Sequence, residues 1–160
     1  MDRTCWSRRT TTSARTPVSA ISTARPHGPA CPSCSTRGPA SSGARVKFGD
    51  PLSLDDVGND FPDLTVLLAH GGRPLWTEEA WFLLRRFPRF HLDLSGIPPA
   101  RLLEWFPRLE EIAARCCFGT DWPSPGIPPV KENLAAIRAL PLPPAALEEI
   151  LSATALRLFP

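Results

Sequence analysis

The chain has 160 residues, 42% hydrophobic, with 20 Pro and a net charge of +2, which suits one ordinary domain. No apolar run approaches the roughly 20 residues needed to span a bilayer, the N-terminus lacks the apolar stretch of a secretory signal, and an odd count of five Cys in unlike contexts argues against a disulfide framework. A protein without membrane contact, in the cytoplasm, is the expectation.

The composition splits near residue 45. Residues 1–45 hold eight Ser, seven Thr and seven Arg against a single acid, Asp2, for a charge of +6. Residues 46–160 hold 11 Lys/Arg and 15 Asp/Glu, for −4. In the first segment only Met1, Trp6, Val18 and Ile21 are large and apolar. Those cannot offset the ordering cost of roughly 1–2 kcal/mol per residue, so a disordered or poorly packed segment is expected there.

Ser53 is the expected cap of a short helix through Asp55, Asp56 and Val57, closed by Phe61-Pro62-Asp63. Leu64 to Ala69 is a continuous apolar run, which suits a strand buried on both faces, ended by His70-Gly71-Gly72. Thr77 caps the next helix, with Glu78 and Glu79 in its first turn, an apolar face of Ala80, Trp81, Leu83, Leu84 and Phe87, and Arg85 and Arg86 at its end. Phe90 to Leu94 is a second strand. Helical turns follow from Pro98 or Pro99 to Phe106 and again through Leu109 and Ile112. Cys116 to Gly119 is a third strand, with Thr120-Asp121-Trp122-Pro123 at its end. Helices follow at 130–140 and 144–158.

Strands alternating with helices mean βαβ units and a parallel sheet. Three such strands alone leave open edges, so this α/β body reads as part of a larger sheet or barrel. Those edges could also pair with a chain supplying the rest, so self-association is open. In α/β folds functional groups gather at the C-terminal ends of strands. His70 and Asp121 stand there, and both residue types bind metals or move protons. Turn capping explains them equally well on spacing alone.

The wording around them narrows this. Leu68-Ala69-His70-Gly71-Gly72, Leu92-Asp93-Leu94-Ser95-Gly96 and Phe118-Gly119-Thr120-Asp121-Trp122-Pro123 together resemble the amidohydrolase-related family, metal-dependent (β/α)8-barrel hydrolases and decarboxylases. Asp56-Val57, Asp60 to Leu64 and Leu156 to Phe159 also fit its pattern. The resemblance covers about Val46 to Phe159. It implies a partial TIM-type barrel, about the last three strands and their helices, following the disordered N-terminal segment. It implies a small-molecule substrate and a divalent metal, zinc, in the complete enzyme. His70 resembles the strand-six histidine that binds metal or activates water, and Asp121 the strand-eight metal ligand and proton acceptor. Asp93 and Ser95 match the strand-seven pattern without a catalytic role, and His91 reads as packing or surface.

The family's strand-one His-x-His and strand-five His have no counterpart among His27, His70 and His91. A zinc site needs at least three protein ligands. The chain is therefore expected to be an inactive fragment that does not hold the metal tightly. His27 with Cys31 and Cys34 offers zinc-type donors, but one C-x-x-C is half a site. A shifted reading of the codons for Ala30 to Gly38 permits an apolar strand ending in His, where strand five belongs. Residues 1–45 are thus either an out-of-frame segment, with the frame restored near Ala44 or Val46, or a real basic tail. A stop codon in the shifted frame would exclude the first. The non-enzymatic alternative is a binding protein whose basic tail touches nucleic acid. Seven Arg with only Trp6 as an aromatic are a weak footprint for that, so nucleic acid is not the expected partner.

Overall fold

The computed structural model describes Ile21–Ser22, Ser33–Cys34 and residues 46–159. Expectations for the rest of residues 1–45, including disorder, reading frame and the donors His27 and Cys31, lie outside the described residues. Five strands form one sheet in sequence order: β1 (Ile21–Ser22), β2 (Ser33–Cys34), β3 (Val66–Ala69), β4 (Phe90–Asp93) and β5 (Cys116–Cys117). β1 runs antiparallel to β2, and every later neighbour is parallel. The three expected strands are present. Two two-residue strands from the basic segment extend the sheet, with Cys34 opposite Leu68.

The helices are α1 (Asp55–Asp60), α2 (Thr77–Arg86), α3 (Pro99–Trp105), α4 (Leu109–Ile112), α5 (Val130–Arg138), α6 (Pro144–Glu148) and α7 (Thr154–Leu158), the last two joined by a π turn over Glu149–Ala153. Ser53 is not the cap. Pro51, with its fixed φ, opens a 3-10 turn one step earlier (Pro51–Leu54), and the Asp50 side chain accepts the Leu52 N–H at 2.9 Å. Ser53 instead donates its hydroxyl back to the Asp50 carbonyl. Thr77 is likewise the first helical residue, behind Trp76 at the cap position.

The apolar run at 64–69 is not buried on both faces. Val66 and Leu68 are buried, while Leu67 and Ala69 are half-buried, and β4 repeats the pattern with Phe90 and Leu92 against His91 and Asp93. The pleat sends alternate side chains to opposite faces. Parallel register then lines up Leu67 with His91, and Ala69 with Asp93. One face joins a single core with Leu83, Leu84, Leu102, Phe106, Leu109, Ile112, Ile137 and Ile150. Each fully buried Leu there contributes roughly 1.5–3 kcal/mol.

Two polar devices tie helices to this core. The Arg115 guanidinium donates to the Leu84 carbonyl, an acceptor that the end of α2 leaves open, and to the Phe87 carbonyl, which also receives the Phe90 N–H. At the π turn, the Ile150 carbonyl accepts the Phe118 N–H at 2.8 Å. That bond draws the chain off the sheet and ends β5 after two residues, shorter than the run Cys116 to Gly119 suggests. No helix among the described residues is long and apolar enough to cross a membrane.

Candidate active site at the strand ends

His70 follows β3 directly, and Asp121 lies in the loop that leaves β5. Both have a left-handed backbone, with φ of 61° and 62°. His and Asp are among the few non-glycine types enriched in that region. The Arg73 N–H donates to the His70 carbonyl at 3.1 Å. Ser124 holds Asp121 through its N–H to the backbone carbonyl and its hydroxyl to Oδ2, both at 2.9 Å.

The loop after β4 lies between them. The Leu94 N–H donates to the Cys117 carbonyl at 2.9 Å, and the Gly96 N–H to the Thr120 carbonyl at 3.2 Å. His70 Nδ1 lies 2.7 Å from the Ser95 carbonyl oxygen and 3.1 Å from Ser95 Oγ. Asp93 receives the Ser95 hydroxyl at 2.6 Å and the Ser95 N–H at 2.8 Å. Gly96 permits this crowding. A Cβ there would sit 2.5 Å from Arg73 Nη2 and 2.9 Å from His70 Nδ1, at a φ of +68°.

Arg73 completes the group. Its Nη2 stands 3.7 Å from Asp121 Oδ2, beyond hydrogen-bond length, and both side chains are partly exposed. Such a pair is worth at most about 1 kcal/mol. Its Nε is buried without a hydrogen-bond partner, a cost of roughly 1–3 kcal/mol.

The two residues singled out from the sequence thus stand at the ends of β3 and β5, on either side of β4, linked through the Gly96 loop and Arg73. The contacts that Asp93, Ser95 and Arg73 make around this pair were not foreseen from the sequence. The first two were legible only as a motif, and Arg73 only as the residue after His70-Gly71-Gly72. His91 is separate from the site. Its Nδ1–H donates to the Arg89 carbonyl at 3.1 Å, and burial lowers its pKa.

His70 has one ring nitrogen engaged and the other without a hydrogen bond among the described residues, as a ligating imidazole requires. Asp121 adds a carboxylate. No group of three or more His, Cys, Asp or Glu that could hold a metal ion occurs among the described residues, and zinc needs three protein ligands. Arg73 also places a positive charge beside Asp121. The described residues therefore do not complete a metal centre.

A sheet whose β2 to β5 run parallel, with helices on one face and polar residues at the C-terminal strand ends, defines part of a TIM-type barrel with a strand-end site. The chain belongs to the amidohydrolase family, whose model matches residues 12–160. The match thus reaches well back into the basic segment. This family is generally metal-dependent. Among solved structures, the chain is similar to an uncharacterized TIM-barrel protein from Bordetella bronchiseptica, at 31% identity and a TM-score of 0.65, over 79% of this chain and 44% of that one. It is also similar in fold to a 2,6-dihydroxybenzoate decarboxylase in complex with 2,6-dihydroxybenzoate, at 22% identity and a TM-score of 0.51, over 77% of this chain and 48% of that one. The chain spans a little under half the length of these two structures. No curated protein matches it.

Proposed function

We propose that the chain carries the His70–Asp121 portion of an amidohydrolase centre for hydrolysing a small molecule, and that alone it is too short of ligands to turn over. The supporting observation is the placement of both residues at the C-terminal ends of parallel strands, each with a left-handed backbone. In this reading Asp121 accepts a proton from the attacking water. His70 offers its free ring nitrogen as a donor to the metal or as a base. The described donors do not close a metal site.

Zinc titration of the full chain by calorimetry tests this. Weak binding is expected, reduced at least about tenfold, roughly 1.4 kcal/mol, by His70→Ala or Asp121→Asn. Variants that bind as the parent does would remove both residues from the donor set. Tight one-to-one binding would overturn the incompleteness. Decarboxylation is the alternative reading, and it draws on the same residues. Assays for ester or amide cleavage and for CO2 release from 2,6-dihydroxybenzoate separate the two by product, should turnover be found.

A further inference from the structure

We propose that the Ser95 carbonyl holds His70 in its Nδ1-protonated tautomer, that Asp93 acts as a positioning residue by keeping the Ser95 hydroxyl from opposing it, and that Nε2 is left as the site's free lone pair. The inference deepens the reading of His70 as a donor or base and rests on it for its functional meaning. It starts from hydrogen counting. An ionised carboxylate only accepts hydrogen bonds, and a serine hydroxyl has one hydrogen to give. That hydrogen goes to Asp93 Oδ2 at 2.6 Å. Ser95 Oγ therefore faces His70 Nδ1 at 3.1 Å as an acceptor. The other group on Nδ1 is the Ser95 carbonyl at 2.7 Å, which also only accepts. Two acceptors on one ring nitrogen require that nitrogen to carry the proton.

The packing leaves the pair little freedom. Ser95 is only 8% exposed. Its N–H is held by Asp93 Oδ1 at 2.8 Å, so the carboxylate grips both ends of the residue. The neighbouring loop closes on them at Gly119, where a Cβ would lie 2.9 Å from Ser95 Cβ and 3.1 Å from Asp93 Oδ1. Rotating the Ser95 hydroxyl away from Asp93 would leave a short, charge-assisted bond unmade. This makes Asp93 the switch for the hydroxyl direction, and through it for the charge facing the imidazole.

The test is nitrogen-15 NMR of the histidine rings in the full chain near pH 8, above the ordinary histidine range, with His70 assigned by its loss in His70→Gln. The Nδ1–H form is expected to dominate in the parent chain. In Asp93→Asn the amide oxygen keeps the Ser95 N–H and the amide nitrogen turns to Ser95 Oγ. The hydroxyl hydrogen is then free to point at Nδ1, and the Nε2–H fraction rises by roughly tenfold at most, the factor one hydrogen bond is worth. Adding Ser95→Ala to Asp93→Asn leaves only the carbonyl on Nδ1 and returns the ring to Nδ1–H. A purely structural role for Asp93 would not be reversed by deleting the serine.

An Nε2–H ring in the parent chain overturns the proposal without any variant. So does an Asp93→Asn ring that stays as in the parent, or a double variant that fails to restore Nδ1–H. The zinc titration is read separately. An Nδ1–H ring in a chain whose zinc binding ignores His70 would sink the functional reading and leave the tautomer assignment standing.

Discussion

Gly71 is where the site's backbone meets the core, and Gly71→Ala tests both at once. Its φ of 57° and ψ of 27° lie in the left-handed region, which costs an L-residue roughly 1–2 kcal/mol. A Cβ would also sit 2.7 Å from Phe106 Cζ, 3.0 Å from Cε2 and 3.2 Å from Leu92 Cδ1. Phe106 is 1% exposed and Leu92 0%, so the ring has nowhere to retreat. Overpacking of this kind costs roughly 1–3 kcal/mol. Together these predict a loss of roughly 2–5 kcal/mol, a large share of the roughly 5–15 kcal/mol that holds a domain folded. Gly126→Ala is the control. Its φ is 79° with nothing within 4 Å of the added Cβ, so it carries the conformational cost alone. Urea unfolding followed by tryptophan fluorescence measures both. Equal losses in the two variants would refute the packing argument. A loss below about 0.5 kcal/mol for Gly71→Ala, the range of an indifferent surface change, would refute the backbone argument as well.

Burial, aided by nearby guanidiniums and opposed by the bond to Arg89, lowers the His91 pKa below 6.5. The unfolded chain therefore binds more protons at pH values between the two pKa values, so the neutral ring's contribution is complete above 6.5 and lost as the pH falls through the folded-state pKa. The urea midpoint should drop on acidification through that window, and less steeply in His91→Gln; identical slopes would contradict the burial. Burial first, and then the Asp93 carboxylate, push the Cys117 thiol up to about 11, and burial raises Cys116 further. The thiolate is the reactive form, so iodoacetamide near pH 8 should label neither cysteine in the folded chain and both in urea, read peptide by peptide by mass spectrometry. Rapid labelling of either in the folded chain would contradict its placement in β5.

The order of β3, β4 and β5 and of the helices between and after them was legible because each of these strands is a short stretch with apolar residues closed by a turn containing Gly. The faces were not. Val66 to Ala69 is uniformly apolar, and only the helices packed on Val66 and Leu68 distinguish that side from Leu67 and Ala69. The extent of β5 was hidden for a similar reason, since Phe118 leaves the sheet for a carbonyl 32 positions away, in the π turn. At the site, His70 and Asp121 could be found from their strand-end motifs. What holds His70 could not, because Ser95 lies 25 positions along the chain and meets the ring only once β3 and β4 are paired. Arg73 shows the same limit, as nothing local says that its Nε is buried without a partner or that Nη2 stands near Asp121.

The two left-handed residues connect strain to chemistry. A non-glycine residue in a sparsely populated conformation costs of order 1–3 kcal/mol and persists only where its surroundings over-determine it. His70 is over-determined. Gly71 and Gly72 follow it at positive φ, its carbonyl receives the Arg73 N–H, and its ring is held by Ser95. Asp121 is held by Ser124 at both carbonyl and carboxylate, while the preceding Thr120 carbonyl is tied to Gly96. Glycine meets these dihedrals at less cost, and the same loops use it at Gly71, Gly72 and Gly96. The backbone alone therefore does not account for histidine and aspartate at 70 and 121. Their side chains do, and those are the two that face the Gly96 loop and Arg73, where the strand ends present an imidazole and a carboxylate together.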